Sequence, residues 1–192
     1  MKLSDRRDIE TDVYQPAEDS RLLADAVCDR LEADTDDLVL EVGTGSGYVA
    51  GRIADETPAR VIASDLNPHA VRQARGDGVE TVRADLVSPF ADDAFAAVAF
   101  NPPYLPTDPE NEWDDWMERA LSGGEDGRAV IDPFLEAVPR VLAPDGAVYL
   151  LVSSLTGVDE VVERAGEAGF SAGAVADHSF PFETLTVLEL FR

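Results

Sequence analysis

Short apolar runs alternate along the chain with segments whose apolar residues recur at helical spacing. This is the pattern of an α/β fold, strands separated by amphipathic helices. Ala17 to Leu31 reads as a helix with Leu22, Leu23, Ala26, Val27 and Leu31 along one side. Leu38 to Val42 is a first, buried strand ending in a glycine-rich turn, and Tyr48 to Ala54 the helix after it. Arg60 to Ser64 is a second strand with Asp65 at its carboxyl end; Asn67 to Arg75 is helical and closed by Gly76-Asp77-Gly78. Val79 to Arg83 and Ala94 to Phe100 are the third and fourth strands. A helix from about Arg128 to Leu142 contains Pro139, where a kink is expected. The fifth strand is Ala147 to Ser153, and a helix over Val158 to Ala168 precedes the sixth, Gly169 to Ala176. Asp177 to Glu183 is too short a link for a parallel crossover, so the seventh strand, Thr184 to Phe191, pairs antiparallel with its neighbour. The expectation is a seven-stranded, mainly parallel sheet with an antiparallel last strand and helices on both faces.

The length of 192 residues and a hydrophobic fraction of 45% suit one domain over 1–192, with 1–37 as an N-terminal segment and helix. No apolar run approaches the ~18 residues of a membrane span, and the N-terminus has no apolar signal region. Cys28 is the one cysteine, which excludes an internal disulfide and a cysteine-based zinc site. The reading is a soluble, cytoplasmic protein. The net charge is -24, with 39 acidic residues against 15 basic ones spread over the whole chain, and Lys2 is the sole lysine. We read this as adaptation to high salt: at ~1 M the Debye length falls to about 3 Å and self-repulsion is screened. The competing reading is that the charge repels nucleic acid and so bears on the substrate.

In an open α/β sheet ligands bind beyond the carboxyl ends of the strands, and four consecutive strands here end in polar residues. Glu41-Val42-Gly43-Thr44-Gly45-Ser46-Gly47 follows the first, Asp65-Leu66-Asn67 the second, Asp85-Leu86 the third and Asn101-Pro102-Pro103-Tyr104 the fourth. Gly43, Gly45 and Gly47 allow close backbone approach to a ligand, and Asp65, 22 positions after Gly43, suits a carboxylate accepting from ribose hydroxyls. A dinucleotide-binding dehydrogenase would place a third glycine at position 48, where Tyr48 stands. A tight strand–helix turn without ligand also accounts for the glycines. The tetrapeptide is more specific. Its prolines fix φ and donate no N–H, so the segment offers carbonyl oxygens in a rigid frame. Asn101 adds a side-chain acceptor, and together they can accept both N–H bonds of an NH2 group. Tyr104 can stack on the planar group that bears the nitrogen.

Asn-Pro-Pro-Tyr after the fourth strand, with Glu-Val-Gly-Thr-Gly-Ser-Gly after the first, resembles the class I S-adenosylmethionine-dependent methyltransferases that act on planar amino groups. Val13-Tyr14-Gln15-Pro16-Ala17-Glu18-Asp19-Ser20 and Gly123-Gly124-Glu125-Asp126-Gly127-Arg128 resemble segments of the HemK-type protein-glutamine N5-methyltransferases. The similarity runs from about Val13 to Arg192. Bacterial members carry an additional N-terminal helical domain; with some 38 residues before its first strand, the chain looks like the short archaeal and eukaryotic branch.

The resemblance implies a Rossmann-like fold, S-adenosylmethionine as cofactor and methylation of the glutamine in the Gly-Gly-Gln motif of a peptide chain release factor. It also implies a small zinc-binding activator protein pairing along Val79 to Arg83. Tyr14, Gln15 and Pro16 would lie over the cofactor near its methionine end, with Glu41, Gly43, Thr44, Gly45 and Gly47 beside the methionine moiety. Asp65 would bind the ribose, Asp85 and Leu86 would sit by the adenine, and Leu66 would border the cofactor. Asn101, which also borders the cofactor, would hold the substrate side chain with Pro102, Pro103 and Tyr104. Gln15 departs from the family in standing where an acidic residue is common. The alternatives are methylation of a nucleobase amine, which the charge and the lack of a basic stripe disfavour, of a lysine amine, or a non-catalytic cofactor-binding subunit. His69, His178 and Cys28 read as packing or surface residues, and no metal site is expected. Trp113 and Trp116, three apart, could share a helix face or clamp substrate, and the loop Asp108 to Asp115 has no assigned role.

Overall fold

The computed structural model describes residues 12–107 and 115–192. Seven strands form one sheet: β1 (Leu38–Val42), β2 (Arg60–Asp65), β3 (Thr81–Arg83), β4 (Phe95–Phe100), β5 (Leu142–Ser153), β6 (Ser171–Ser179) and β7 (Thr184–Phe191). Their order is β3-β2-β1-β4-β5-β7-β6. β7 enters antiparallel between β5 and β6, and the other pairings are parallel. The described residues also form six helices, α1 (Glu18–Arg30), α2 (Tyr48–Glu56), α3 (Pro68–Gly76), α4 (Trp116–Leu121), α5 (Ile131–Val141) and α6 (Val158–Glu167), with a 3₁₀ turn at Ser154–Thr156.

The two-residue period of the strands divides the core. Leu40, Val42, Val98, Phe100, Val148 and Leu150 face Ile131, Phe134, Leu135 and Val138 of α5 and Val161 of α6. Alternate residues Val39, Ala97, Ala99, Tyr149 and Leu151 face Leu23 and Val27 of α1 and Val49 and Ile53 of α2. Both faces are covered, as expected. Small strand residues on the second face, Ala63, Ala97 and Ala99, let α1 and α2 approach closely. Gly47, at φ +88°, marks the start of α2, where a Cβ would fall 2.8 Å from that of Ala74 in α3.

The sequence-based boundaries shift where turn hydrogen bonds intervene. β3 begins at Thr81 and not Val79, because the Val79 amide closes the end of α3 onto the Ala74 carbonyl. α5 begins at Ile131 and not Arg128, since the amide of Ala129 is bonded to Gly123 across a glycine turn. β5 starts earlier than expected: Leu142 pairs with Phe95, the register slips, and pairing resumes at Ala97 with Ala147. β6 runs on to Ser179, so the β6–β7 turn holds only residues 180–183. α4, six residues capped by Asp115, was not anticipated. Trp113 and most of the 108–115 loop lie outside the described residues. Among the described residues no helix is long and apolar enough to cross a membrane.

Candidate active site

The register aligns the strand ends. Val42 pairs with Ser64 and Phe100, Phe100 with Leu150, and Asp65 with Arg83, so the turns after β1, β2 and β4 open at one level. Between them lies a cavity of about 320 Å³. Its wall takes Tyr14, Glu41, Gly43, Thr44, Gly45, Asp65, Leu66, Asp85, Leu86 and the whole segment Asn101 to Tyr104, gathering most of the residues singled out from the sequence. Gln15, Pro16 and Gly47 do not line the cavity. Gln15 is exposed, with Nε2 donating to the Val13 carbonyl. Gly47 is buried against α3, where its lack of a side chain serves helix packing.

The glycine turn is built from the carboxylates around it. Gly43 and Gly45 adopt φ +66° and +54°, values natural to glycine. A Cβ on Gly43 would meet the Phe100 ring at 3.2 Å, and one on Gly45 the Tyr14 carbonyl at 3.3 Å, so the turn is closely packed between its neighbours. Asp65 Oδ2 accepts from the Gly45 amide at 2.9 Å and Oδ1 from the Asn67 amide at 2.8 Å. Burial nevertheless raises its carboxyl above the usual range. Each oxygen keeps a lone pair for a further donor, as a ribose diol supplies. Glu41 is spent differently. It is 3% exposed, and its Oε2 accepts from the Thr44 hydroxyl and, at 2.9 Å, from the Ala50 amide in the first turn of α2. Glu41 thus ties the turn to the helix from beneath. Leu86, at φ +48°, is held in a conformation rare for a branched side chain; it lines the cavity and packs on the core beside Val87.

At the other end of the cavity the first turn of α1 contributes Asp19, 4% exposed. Its Oδ2 accepts from the Tyr14 hydroxyl at 2.9 Å and from Asn101 Nδ2 at 3.0 Å, while Oδ1 accepts from the Ser20 amide at 2.6 Å. A carboxylate can only accept, so it orients the Asn101 amide with its nitrogen toward Asp19. Asn101 Oδ1 is left buried without a hydrogen-bond partner. A buried unsatisfied acceptor costs about 1–3 kcal/mol, which a donor brought beside it would relieve. Burial, then the Asp19 carboxylate, pushes the Tyr14 hydroxyl far above its ordinary range, so Tyr14 remains a donor. Burial followed by Asp19 and Glu183 does the same to Tyr104. Asp19 lay within a quoted motif, yet its role went unseen in the sequence: it acts across 82 residues of chain.

Two further features border the tetrapeptide. The glycines of 123–128 support the tetrapeptide from outside. The Gly123 amide donates to the Leu105 carbonyl at 2.8 Å, and a Cβ on Gly127 would fall 2.6 Å from both the Tyr104 carbonyl oxygen and Thr156 Cγ2. Only glycine lets this turn lie against the Tyr104 backbone. Trp116 of α4 also lines the cavity, under the Arg119 guanidinium at 5.3 Å. The bland readings stand for the remaining candidates. His178 packs on Phe180 with ring centroids 4.6 Å apart, and His69 lies beside Asp12. Cys28 is half-buried, its thiol pushed up to about 11, mainly by burial. No cluster of potential metal ligands occurs among the described residues.

With this geometry in place, the chain was compared with known proteins. The methyltransferase domain family matches residues 39–122. A protein designated a protein N5-glutamine methyltransferase in Methanocaldococcus jannaschii is 34% identical over 94% of this chain and 92% of its own length. Human methyltransferase HEMK2 is 34% identical over 95% of this chain and 91% of its own. Among solved structures, the Mtq2–Trm112 complex of E. cuniculi, described as responsible for methylation of the translation termination factor eRF1, contains a similar chain. That chain is 32% identical with a TM-score of 0.78, covering 95% of this chain and 99% of its own.

Glu41 supplies a pH test of the turn. Burial pushes its carboxyl up to about 8, against 4.5 for the free group. The folded protein therefore binds more protons than the unfolded chain between those values, and stability falls as pH rises through them. Glu41→Gln should flatten that fall by a few kcal/mol, to order of magnitude, in denaturant unfolding of the free protein from pH 5 to 8.5. Parallel curves for the two proteins would show that Glu41 is charged throughout.

Proposed function

Because the chain belongs to the protein N5-glutamine methyltransferases, as its relatives from M. jannaschii and human place it, we propose that it methylates the glutamine of the Gly-Gly-Gln motif in a class I peptide chain release factor. It is an S-adenosylmethionine-dependent enzyme. The observation that carries the substrate assignment is the buried, unpartnered Oδ1 of Asn101, a residue of the cavity wall whose amide nitrogen is held by Asp19. The cofactor, when bound, supplies an electrophilic methyl group on a sulfonium. Asp65 is suited to its ribose hydroxyls, the Gly43–Gly45 turn with Tyr14 to its methionine part, and Leu66, Asp85 and Leu86 to its adenine.

The remaining chemistry belongs to the tetrapeptide. An amide nitrogen is a poor nucleophile because its lone pair is delocalised into the carbonyl. Asn101 Oδ1 and the carbonyls of the proline frame accept its two N–H bonds, which holds the lone pair toward the donor and leaves electron density on nitrogen. Tyr104, kept as a neutral phenol, flanks the planar group. As the new N–C bond forms, the methyl group leaves its sulfonium sulfur; the nitrogen then carries a strongly acidic proton, which passes to water, so the frame needs no strong base. A nucleobase amine presents a similar NH2 group; the net charge of -24 speaks against so polyanionic a substrate. That charge also fits a host cytoplasm of high salt, so assays belong in molar salt.

We further propose a Trm112-like, zinc-binding activator on the β3 edge, the kind of partner named in the E. cuniculi complex. β3 ends the sheet. The Ala63 amide donates to the Glu80 carbonyl and the Ala84 amide to that of Asp65. By the alternation of a parallel ladder, the amides of Thr81 and Arg83 therefore face away from β2, the side on which an added strand would pair.

Two outcomes follow. With labelled cofactor, release factor should take up methyl and total RNA should not; Asn101→Ala should lower turnover roughly 100-fold or more with cofactor affinity nearly unchanged. Label on RNA alone contradicts the substrate, and unaltered turnover contradicts the role of Asn101. Arg83→Pro removes one outward amide without touching the β2 pairing. It should abolish co-purification with the co-expressed activator while the far-ultraviolet circular dichroism of the chain is kept; intact co-purification would place the partner elsewhere.

A further inference from the structure

The turn between β6 and β7 carries an exposed aromatic residue that the fold does not use. Phe182 is 93% exposed at its apex. The turn itself is firmly held: the Phe180 amide donates to the Glu183 carbonyl at 2.7 Å, Glu183 Oε2 accepts from the buried Ser153 hydroxyl at 2.8 Å, and the Thr184 amide donates to Ser154 Oγ at 3.0 Å. The last two bonds fasten the turn to the carboxyl end of β5, the strand next to the one that ends in Asn101. Glu183 lies near enough to Tyr104 for its charge to raise that hydroxyl, and Phe180 and Tyr104 pack on the same core cluster. The 3₁₀ turn tied to Thr184 bears a second exposed apolar side chain, Leu155, at 46%. Two apolar groups thus stand on two mutually bonded loops beside the acceptor end of the cavity.

Single exposed apolar residues are ordinary on protein surfaces, and position distinguishes this pair. The frame around Asn101 recognises a terminal NH2 group and little else, so it cannot by itself select one glutamine among many. Selection and affinity must then come from parts of the substrate remote from the reacting nitrogen. On a chain of net charge -24, ionic contacts are weak in molar salt, whereas apolar contacts are strengthened under salting-out conditions. The β6–β7 turn also lies at the opposite side of the sheet from the β3 edge, so a partner paired with β3 leaves it open.

We propose that Phe182, with Leu155 on the adjoining 3₁₀ turn, is a substrate-contacting ledge that receives the polypeptide flanking the acceptor glutamine. The inference rests on the protein-glutamine reading above. A rigid aromatic anchor next to a reactive cavity is the type of residue that dominates protein recognition.

The test is steady-state methylation in molar salt with the activator present, using intact release factor and a short peptide limited to the Gly-Gly-Gln motif. Phe182→Ser should raise KM for the intact factor roughly tenfold, leave kcat and cofactor affinity unchanged, and leave the short peptide unaffected. Leu155→Ser should act in the same direction more weakly, and Phe182→Tyr should restore the wild-type KM. Wild-type transfer to the factor with an unchanged KM in Phe182→Ser overturns the ledge alone, as does a loss confined to kcat. Absence of transfer to the factor by the wild-type protein removes the premise and the ledge with it.

Discussion

The site depends on one carboxylate oxygen that accepts twice. Asp19 Oδ2 takes the Tyr14 hydroxyl and Asn101 Nδ2, binding the segment before α1, the first turn of α1 and the end of β4 into one corner. An asparagine amide alone could present either its oxygen or its nitrogen to the cavity. Beside an acceptor-only neighbour it presents oxygen. On the proposed reading, the acceptor for the substrate nitrogen is set before any substrate arrives, a preorganised hydrogen-bonding site.

The rest of the fold holds that corner in register with the cofactor half of the cavity. Parallel pairing of β2, β1, β4 and β5 brings Asp65, Gly43 and Asn101 to one level. Glu41 anchors the glycine turn from beneath and Asp65 from the side. On the outer side, Gly127 allows the Gly123–Arg128 turn to press against the Tyr104 backbone, and Arg128 holds the Thr156 carbonyl. Stored strain is visible at Leu86, whose positive φ is borne where its side chain lines the cavity.

Much of this was legible in the sequence because it is written in local patterns. The strand runs, the glycines after β1, Asp65 and the Asn-Pro-Pro-Tyr segment each announce themselves within a few residues, and the fold brings all of them to one cavity. Gln15, Pro16 and Gly47 adjoin such motifs in the chain but lie off the cavity wall, since neighbours along a strand or turn face different ways. The Asp19–Asn101 bond was illegible because its partners are far apart in the chain. The same holds for Gly127 against Tyr104, and for the β6–β7 turn over Ser153. The start of β5 was missed because Pro144-Asp145-Gly146 reads as a loop, although Leu142 pairs with Phe95 on its near side.

The central claim is that Asn101 Oδ1, oriented by Asp19, accepts from the side-chain nitrogen that is methylated. A crystal structure of the protein with demethylated cofactor and a Gly-Gly-Gln peptide tests it most directly. The account predicts the glutamine Nε2 within about 2.7–3.2 Å of Asn101 Oδ1, with Asn101 Nδ2 still donating to Asp19. A glutamine nitrogen bound elsewhere, or an Asn101 amide turned to face Asp19 with its oxygen, would contradict it.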